Sequence, residues 1–423
     1  MTIGESFGRA FKTDDLRRRI LYTIGMILVF RIGAHVPVPG VNPNVLAQLF
    51  ANGGTLFGLL NLFAGGALRL FAVFAMGIMP YINASIIMQL LTLVIPQVEQ
   101  WSKEGTEGQK QITQWTRYGT VILALIQGTG LAVYVQNNGG MLHPGIVSIA
   151  EVILVLTAGS ILLMWVGEAV TEYGIGNGIS LLIFAGIVSR LPAGAQNLIS
   201  YLQAGTISAF NLILLLVLGL AIIAAIVFVT EGARRVPVQY AKRVVGRRMY
   251  GGQSTHIPVR VNQAGVIPVI FAASLMAVPL TLANFTHVGF IQTIVSFLNI
   301  RSVWYELIYA GLIIAFTFFY TAITFNPTDV ADNIRKYGGF IPGYRPGRPT
   351  AQYLEKVLMR VTVVGAIFLA AVSVLPVVFA GATNIPNIYF GGTSLLIVVG
   401  VALETMKQIE AHMLMRHYQG FMK

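Results

Sequence analysis

Charged side chains inside apolar stretches are the first place to look for chemistry, because proton or cation handling within a membrane needs a titratable or coordinating group there. Arg31, Glu151 and Glu306 are the candidates. Each lies within about two or three helical turns of the end of an apolar run, close enough for its charged head to reach the interface. Glu168 and Glu172 flank the end of another run, where a water-exposed role is expected. The six histidines, His35, His143, His256, His287, His412 and His417, fall in connecting segments, at run ends or in the tail, and no H-E-x-x-H occurs. A metal centre or proton relay has no constellation to carry it. Gly174-Ile175-Gly176-Asn177-Gly178 lacks the spacing, the preceding strand and the Lys-Ser/Thr ending of a phosphate loop, so it reads as a tight turn that glycine permits. The chain contains no cysteine, which excludes thiolate nucleophiles and disulfides.

Composition explains why chemistry is scarce. Of 423 residues, 10% are charged and 55% are of the hydrophobic types, whereas a soluble domain is about 25% charged. Such a chain cannot cover a water-facing surface, which leaves a polytopic membrane protein built from apolar spans of about 20 residues. The expected spans are 20-38, 71-94, 118-136, 147-167, 179-200, 208-230, 264-283, 304-326, 358-379 and 391-407. Arg17-Arg18-Arg19 precedes the first; that run contains Arg31 and ends in Pro37-Val38-Pro39-Gly40 without a small-x-small site, so it reads as a retained span rather than a signal peptide. The stretch Val261 to Ile300 holds no charge and admits one span or two.

Positive charge fixes the parity. With ten spans, 24 of the 28 Lys and Arg residues lie on the side that holds both termini, and only Arg69, Arg190 and Arg301 on the other. Lys and Arg accumulate in cytoplasmic loops, so both termini are expected there. Gly54 to Leu70 is apolar but rich in glycine, and counting it as a crossing breaks this pattern. It reads as a re-entrant half-helix entering from outside, with an apolar interfacial loop as the alternative.

Two cytoplasmic loops concentrate the charge. Glu231 to Gln263 holds seven basic residues, Arg234, Arg235, Lys242, Arg243, Arg247, Arg248 and Arg260, against one acid. The second, about 327-357, has Arg335, Lys336, Arg345 and Arg348 around Ile341-Pro342-Gly343-Tyr344-Arg345-Pro346-Gly347. This exceeds what orientation requires and suits docking to an acidic or nucleic-acid surface, with salt-sensitive affinity.

Longer motifs add a resemblance. Phe74 to Leu91 (FAMGIMPYINASIIMQLL) and Met164 to Ile183 (MWVGEAVTEYGIGNGISLLI) resemble the SecY family, the central subunit of the protein-conducting channel. Phe30-Arg31-Ile32-Gly33 with Pro37-x-Pro39-Gly40, Gln253-Ser254-Thr255-His256, Ala264-Gly265-Val266-Ile267-Pro268, Phe325-Asn326-Pro327 and Tyr389 to Ile397 extend it over essentially the whole chain, closest to bacterial members. The resemblance implies an all-α polytopic membrane protein with ten transmembrane helices in two inverted pseudo-symmetric halves, about 1-205 and 206-423, and a re-entrant plug helix at about 54-70. It implies a passive, non-enzymatic, cofactor-free channel that passes unfolded polypeptides across the membrane and releases hydrophobic segments sideways into the bilayer.

Matched motif by motif, the resemblance implies a pore ring of Ile78, Ile82, Ile179, Ile183, Ile270 and Ile397, and a plug that includes Leu56, Phe57, Leu60, Phe63, Gly65 and Gly66. It places Asn83, Gln89, Gln127 and Asn262 in or beside a lateral gate. Docking of a SecA-type motor ATPase or of the ribosome, through ribosomal RNA, is expected at Arg345 above all, with Arg247, Arg248, Arg243, Arg335 and Lys336. Further implied partners are SecE-like and SecG-like small membrane subunits, signal peptides and nascent chains, and the lipid of a bacterial inner membrane. A small-solute secondary transporter with inverted repeats is the alternative; it should carry polar or charged substrate groups at the midplane, which these spans lack.

Overall fold

The computed structural model describes residues 13–42, 45, 61, 63–205, 207–240, 243–245, 248–250, 254–283, 303–383 and 392–420. In chain order the elements are α1 (Asp14–Gly33), α2 (Met79–Val94), α3 (Pro96–Lys103), α4 (Thr106–Asn137), α5 (Ile146–Tyr173), α6 (Gly178–Val188), α7 (Leu191–Gln203) and α8 (Ala209–Glu231). There follow β1 (Ala233–Tyr240), β2 (Arg243–Val245), β3 (Arg248–Tyr250), β4 (Ser254–Arg260), α9 (Ile267–Ala283), α10 (Val303–Thr324), α11 (Pro327–Lys336), β5 (Gly339–Phe340), α12 (Arg348–Thr383) and α13 (Gly392–Gly420).

Each expected span overlaps at least one of these helices, and the span 179-200 holds two, α6 and α7. Among the described residues seven spans are long and apolar enough to cross a membrane, or eight if α2 and α3, bent by 101° at a short break, count as one. By this measure α1 falls out because Arg17, Arg18 and Arg19 occupy its first turns, and α9 because only 17 of its residues are described. The second expected span differs in its first third: residues 71–78 are turns, and the helix begins at Met79 with Pro80 in its first turn. Pro80 suits that place, since the first-turn N–H groups lack helical partners anyway.

Two compact units emerge, one of residues 1–209, 273–306 and 397–423, the other of residues 210–272 and 307–396. In the first, α4 packs against α2 and α5. Its buried face carries Thr116, Thr120, Ala124, Gly128 and Ala132, one small residue every four positions. Helices in lipid gain no hydrophobic drive from meeting each other, so close approach over small residues supplies the contact. The threonines of that stripe are satisfied within the helix: Thr116 Oγ1 donates to the Ile112 carbonyl at 2.8 Å and Thr120 Oγ1 to the Thr116 carbonyl at 2.7 Å. At the charged end of these helices Arg117 makes a forked pair with Glu168, Nε and Nη2 donating at 3.1 and 2.7 Å. Glu168, expected to be water-exposed, therefore ties α5 to α4, whereas Glu172 is exposed as expected.

The second unit contains strands, which the all-helical expectation omitted. β4, β1 and β5 form an antiparallel sheet in the order β4-β1-β5, with Val236 opposite Ile257 and Gln239 opposite Phe340. Along β1, Val236 and Val238 are buried while Arg235, Pro237 and Gln239 are exposed, the period of two that a strand dictates. These valines pack with Val259 of β4, Ala331 and Ile334 of α11, Ile341, and Leu354 and Leu358 of α12. The two basic loops, about a hundred residues apart in sequence, thus share one apolar core.

Candidate functional site

The six expected ring residues share a structural habit: each lies at the cap or within the first two turns of a helix. Ile78 caps α2 and Ile82 follows one turn on, with the Ile82 N–H donating to the Ile78 carbonyl at 3.1 Å. Ile179 and Ile183 open α6, whose start is set by Asn177: its Oδ1 accepts from the N–H groups of Ile179 and Ser180, both at 3.1 Å. Ile270 and Ile397 stand in the first turns of α9 and α13. Ile78, Ile82, Ile183, Ile270 and Ile397 are buried; Ile179 is half-buried.

Two of them meet at a residue that the sequence reading passed over. A Cβ added to Gly167 of α5 would lie 3.2 Å from Ile179 Cγ1 and 3.4 Å from Ile78 Cδ1. The bare glycine lets both isoleucines close on the same point of α5. Its signal was a small residue within MWVGEAV, which spacing alone does not distinguish from packing. Nearby, Ser274 Oγ of α9 donates to Met79 Sδ at 3.8 Å, joining α9 to the start of α2.

The expected plug is described in part. Leu56, Phe57 and Leu60 lie outside the described residues, and Phe63 is buried. Asn61 and Phe63 are helical and the chain from Ala64 to Leu70 is in turns, so the last part of the expected half-helix is not helical. The glycines explain the difference: Gly65 and Gly66 take φ of +63° and +92°, outside the right-handed helical region. Asn61 holds the turn together, its carbonyl accepting from Gly66 N–H at 2.9 Å and its Oδ1 from Arg69 N–H at 3.1 Å. A Cβ on Gly65 would sit 3.0 Å from both Gly186 Cα and Phe30 Cζ, so the turn presses its backbone onto α6 and α1. Arg31, read as a snorkelling charge, instead donates from Nη1 to the Gly65 carbonyl at 2.9 Å and to Ser189 Oγ at 3.0 Å.

Of the expected gate residues, Asn83 and Asn262 are buried and Gln89 and Gln127 half-buried. Gln89 Nε2 reaches Ser85 Oγ of its own helix at 3.5 Å, and Asn262 Oδ1 is buried without a hydrogen-bond partner. Among the described residues no hydrogen bond links Asn83, Gln89 and Gln127.

On the basic side, Arg335 and Arg345 line one shallow, open concavity of about 600 Å³, with Gly338, Gly339, Phe340 and Tyr344. Tyr344 stacks on Tyr353 of α12, ring centroids 4.2 Å apart, which braces the turn that carries Arg345. Both arginines and Lys336 are exposed. Arg234, Arg235 and Arg260 are exposed on β1 and β4, Arg243 and Arg248 belong to the β2–β3 hairpin, and Arg247 lies outside the described residues.

This is a multi-pass helical membrane protein with an aliphatic set at its helix starts and a folded basic platform built from β1, β4, β5, α11 and the start of α12. The family model SecY matches residues 72–406. Full-length relatives are protein translocase SecY subunits: that of Mycobacterium tuberculosis is 47% identical with 99% of each chain covered, and that of Halalkalibacterium halodurans 49% identical with 98% of each covered. The chain belongs to the SecY family. A solved structure of a protein-conducting channel shares its fold at a TM-score of 0.63 and 19% identity, covering 93% of this chain and 92% of that one. Sec61 in a canine ribosome-channel complex does so at 0.61 and 18%, with the same coverage.

Proposed function

We propose that this chain is the pore of a protein-conducting channel, passing unfolded polypeptides across a bacterial inner membrane and releasing hydrophobic segments into the bilayer. Membership of the SecY family over nearly the full length is the observation that carries this reading. The side chains fit it physically. A narrow aliphatic ring sheds water and so blocks ions, yet it offers a sliding polypeptide no fixed hydrogen bond to be held by. We assign the ring to Ile78, Ile82, Ile179, Ile183, Ile270 and Ile397; the closure of Ile78 and Ile179 over Gly167 supports the first part of it.

The turn at Phe63 to Leu70 is the inner end of a plug held by Arg31 and by backbone contact at Gly65. Asn83, Gln89, Gln127 and Asn262 belong to the lateral gate, which an arriving signal helix parts. The chain spans the membrane ten times in two inverted halves, 1–205 and 206–423, with both termini cytoplasmic. SecE-like and SecG-like subunits complete the channel, and a SecA-type motor or a ribosome docks on the platform around Arg345. Energy comes from those partners, because the channel itself is passive.

Proteoliposomes containing the full chain, its small membrane partners and the motor should render a signal-bearing preprotein protease-protected when ATP is supplied. Protection no higher than in vesicles lacking the chain would overturn the reading.

A further inference from the structure

The turn Gly174 to Gly178, set aside above as a phosphate loop, is where four helices meet. Gly174, Ile175 and Gly176 are buried, and a buried backbone amide without a partner is costly. The Gly174 N–H donates to the Val170 carbonyl of α5 at 2.8 Å, and three further amides are answered by side chains of three helices. The Ile175 N–H donates to Thr23 Oγ1 of α1 at 3.1 Å, the Gly176 N–H to Gln408 Oε1 of α13 at 2.9 Å, and the Gly178 N–H to Thr171 Oγ1 of α5 at 2.9 Å. Asn177 then caps α6.

Shape repeats the pattern. A Cβ on Gly174 would lie 2.5 Å from Thr23 Oγ1, one on Gly176 would lie 3.2 Å from Thr405 Oγ1, and one on Gly178 would collide with the Gly167 carbonyl. Gly176 also has φ of +86°. The glycines at these three positions admit α1 and α5 at Gly174, α13 and the Leu181 side chain of α6 at Gly176, and α5 at Gly178. Leu16, Ile175 and Ile409 close an apolar cluster around the same point, with Ile20 and Met413 against it.

We infer that this turn is a register clasp for the constriction, with Gln408 and Thr23 as positioning residues; the inference rests on the ring assignment above. The geometry supplies the lever. Ile179 and Ile183 lie directly after the clasp on α6, and Ile397 lies three turns before Gln408 on the continuous α13, about 16 Å along the axis. Pinning Gln408 to the Gly176 amide fixes how far α13 slides and turns relative to the start of α6. Thr23 fixes α1 to the same turn. Without the clasp, the two helices lose their common register and the ring they contribute to closes imperfectly.

The test is resting-state ion conductance of the reconstituted complex in planar bilayers. Gln408→Leu combined with Thr23→Val removes both acceptors and should raise the leak about thirtyfold, the shift in closed population expected for two lost hydrogen bonds at about fivefold each. Gln408→Glu and Thr23→Ser keep an acceptor and should leak like the wild type at unchanged thermal stability, a rescue that a general packing role does not give. If the Leu/Val variant fails to assemble, Gln408→Asn, shorter by one methylene, should show the raised leak on its own. Ile183→Asn serves as control for the ring. A wild-type leak in the clasp variants beside a leaky Ile183→Asn overturns the clasp and leaves the ring standing; a tight Ile183→Asn overturns the ring assignment and the clasp with it.

Discussion

Arg31 and Gly167 show how much depends on what a single side chain has or lacks. Arg31 spends its guanidinium on one backbone carbonyl and one hydroxyl, and so fixes the turn at Gly65 to the ends of α1 and α6. Gly167 contributes nothing but absence, and two isoleucines close over it. At this scale the ring assignment is open to direct test. Replacing Ile82 and Ile270 together by Asn puts two amides where an aliphatic surface should repel water, and the resting channel should conduct ions at least about tenfold better in planar bilayers. A leak unchanged from wild type would remove both residues from the constriction.

Among elements, the platform is the addition that matters most. Val236, Val238, Val259, Leu354 and Leu358 are buried together, and each contributes about 1.5–3 kcal/mol by leaving water. That core is shared by both loops, and Arg335 and Arg345 line the same concavity. Arg345 is exposed and stands on a braced turn, so reversing its charge should leave the platform folded. Arg345→Glu is expected to lower motor-dependent preprotein export severalfold while the melting temperature of the purified complex stays within a few degrees. Normal export by that variant would sink the docking role. The sheet escaped notice in the sequence for a physical reason: β1 alternates over only a few positions inside a charged loop, and its partner β5 lies about a hundred residues away. Over Gly54 to Leu70 the apolar composition hid a boundary, since Gly65 and Gly66 with their positive φ forbid a helix where they stand.

For the molecule as a whole, apolar runs and charge asymmetry were the readable quantities, because lipid demands the one and membrane orientation the other. A helix was found in every expected span. Contacts made by uncharged small residues, such as the stripe on α4 and the glycines at positions 174 to 178, leave no such trace. The orientation is testable because the chain has no cysteine of its own. A membrane-impermeant maleimide applied to intact spheroplasts should label Ala204→Cys and spare Asn333→Cys, with both labelled after lysis. The reverse pattern would invert the assigned parity.

The 101° elbow between α2 and α3 has a mechanical consequence. At its far end α2 begins at a proline-started turn that is itself embedded in buried chain, from Phe71 to Ile78. A rod fixed by a bend at each end cannot piston along its own axis without pulling α3 after it. It can only swivel. Any opening that involves α2 is therefore a rotation about its length or a tilt about one of its ends, and probes placed along it should report changing faces rather than changing depth.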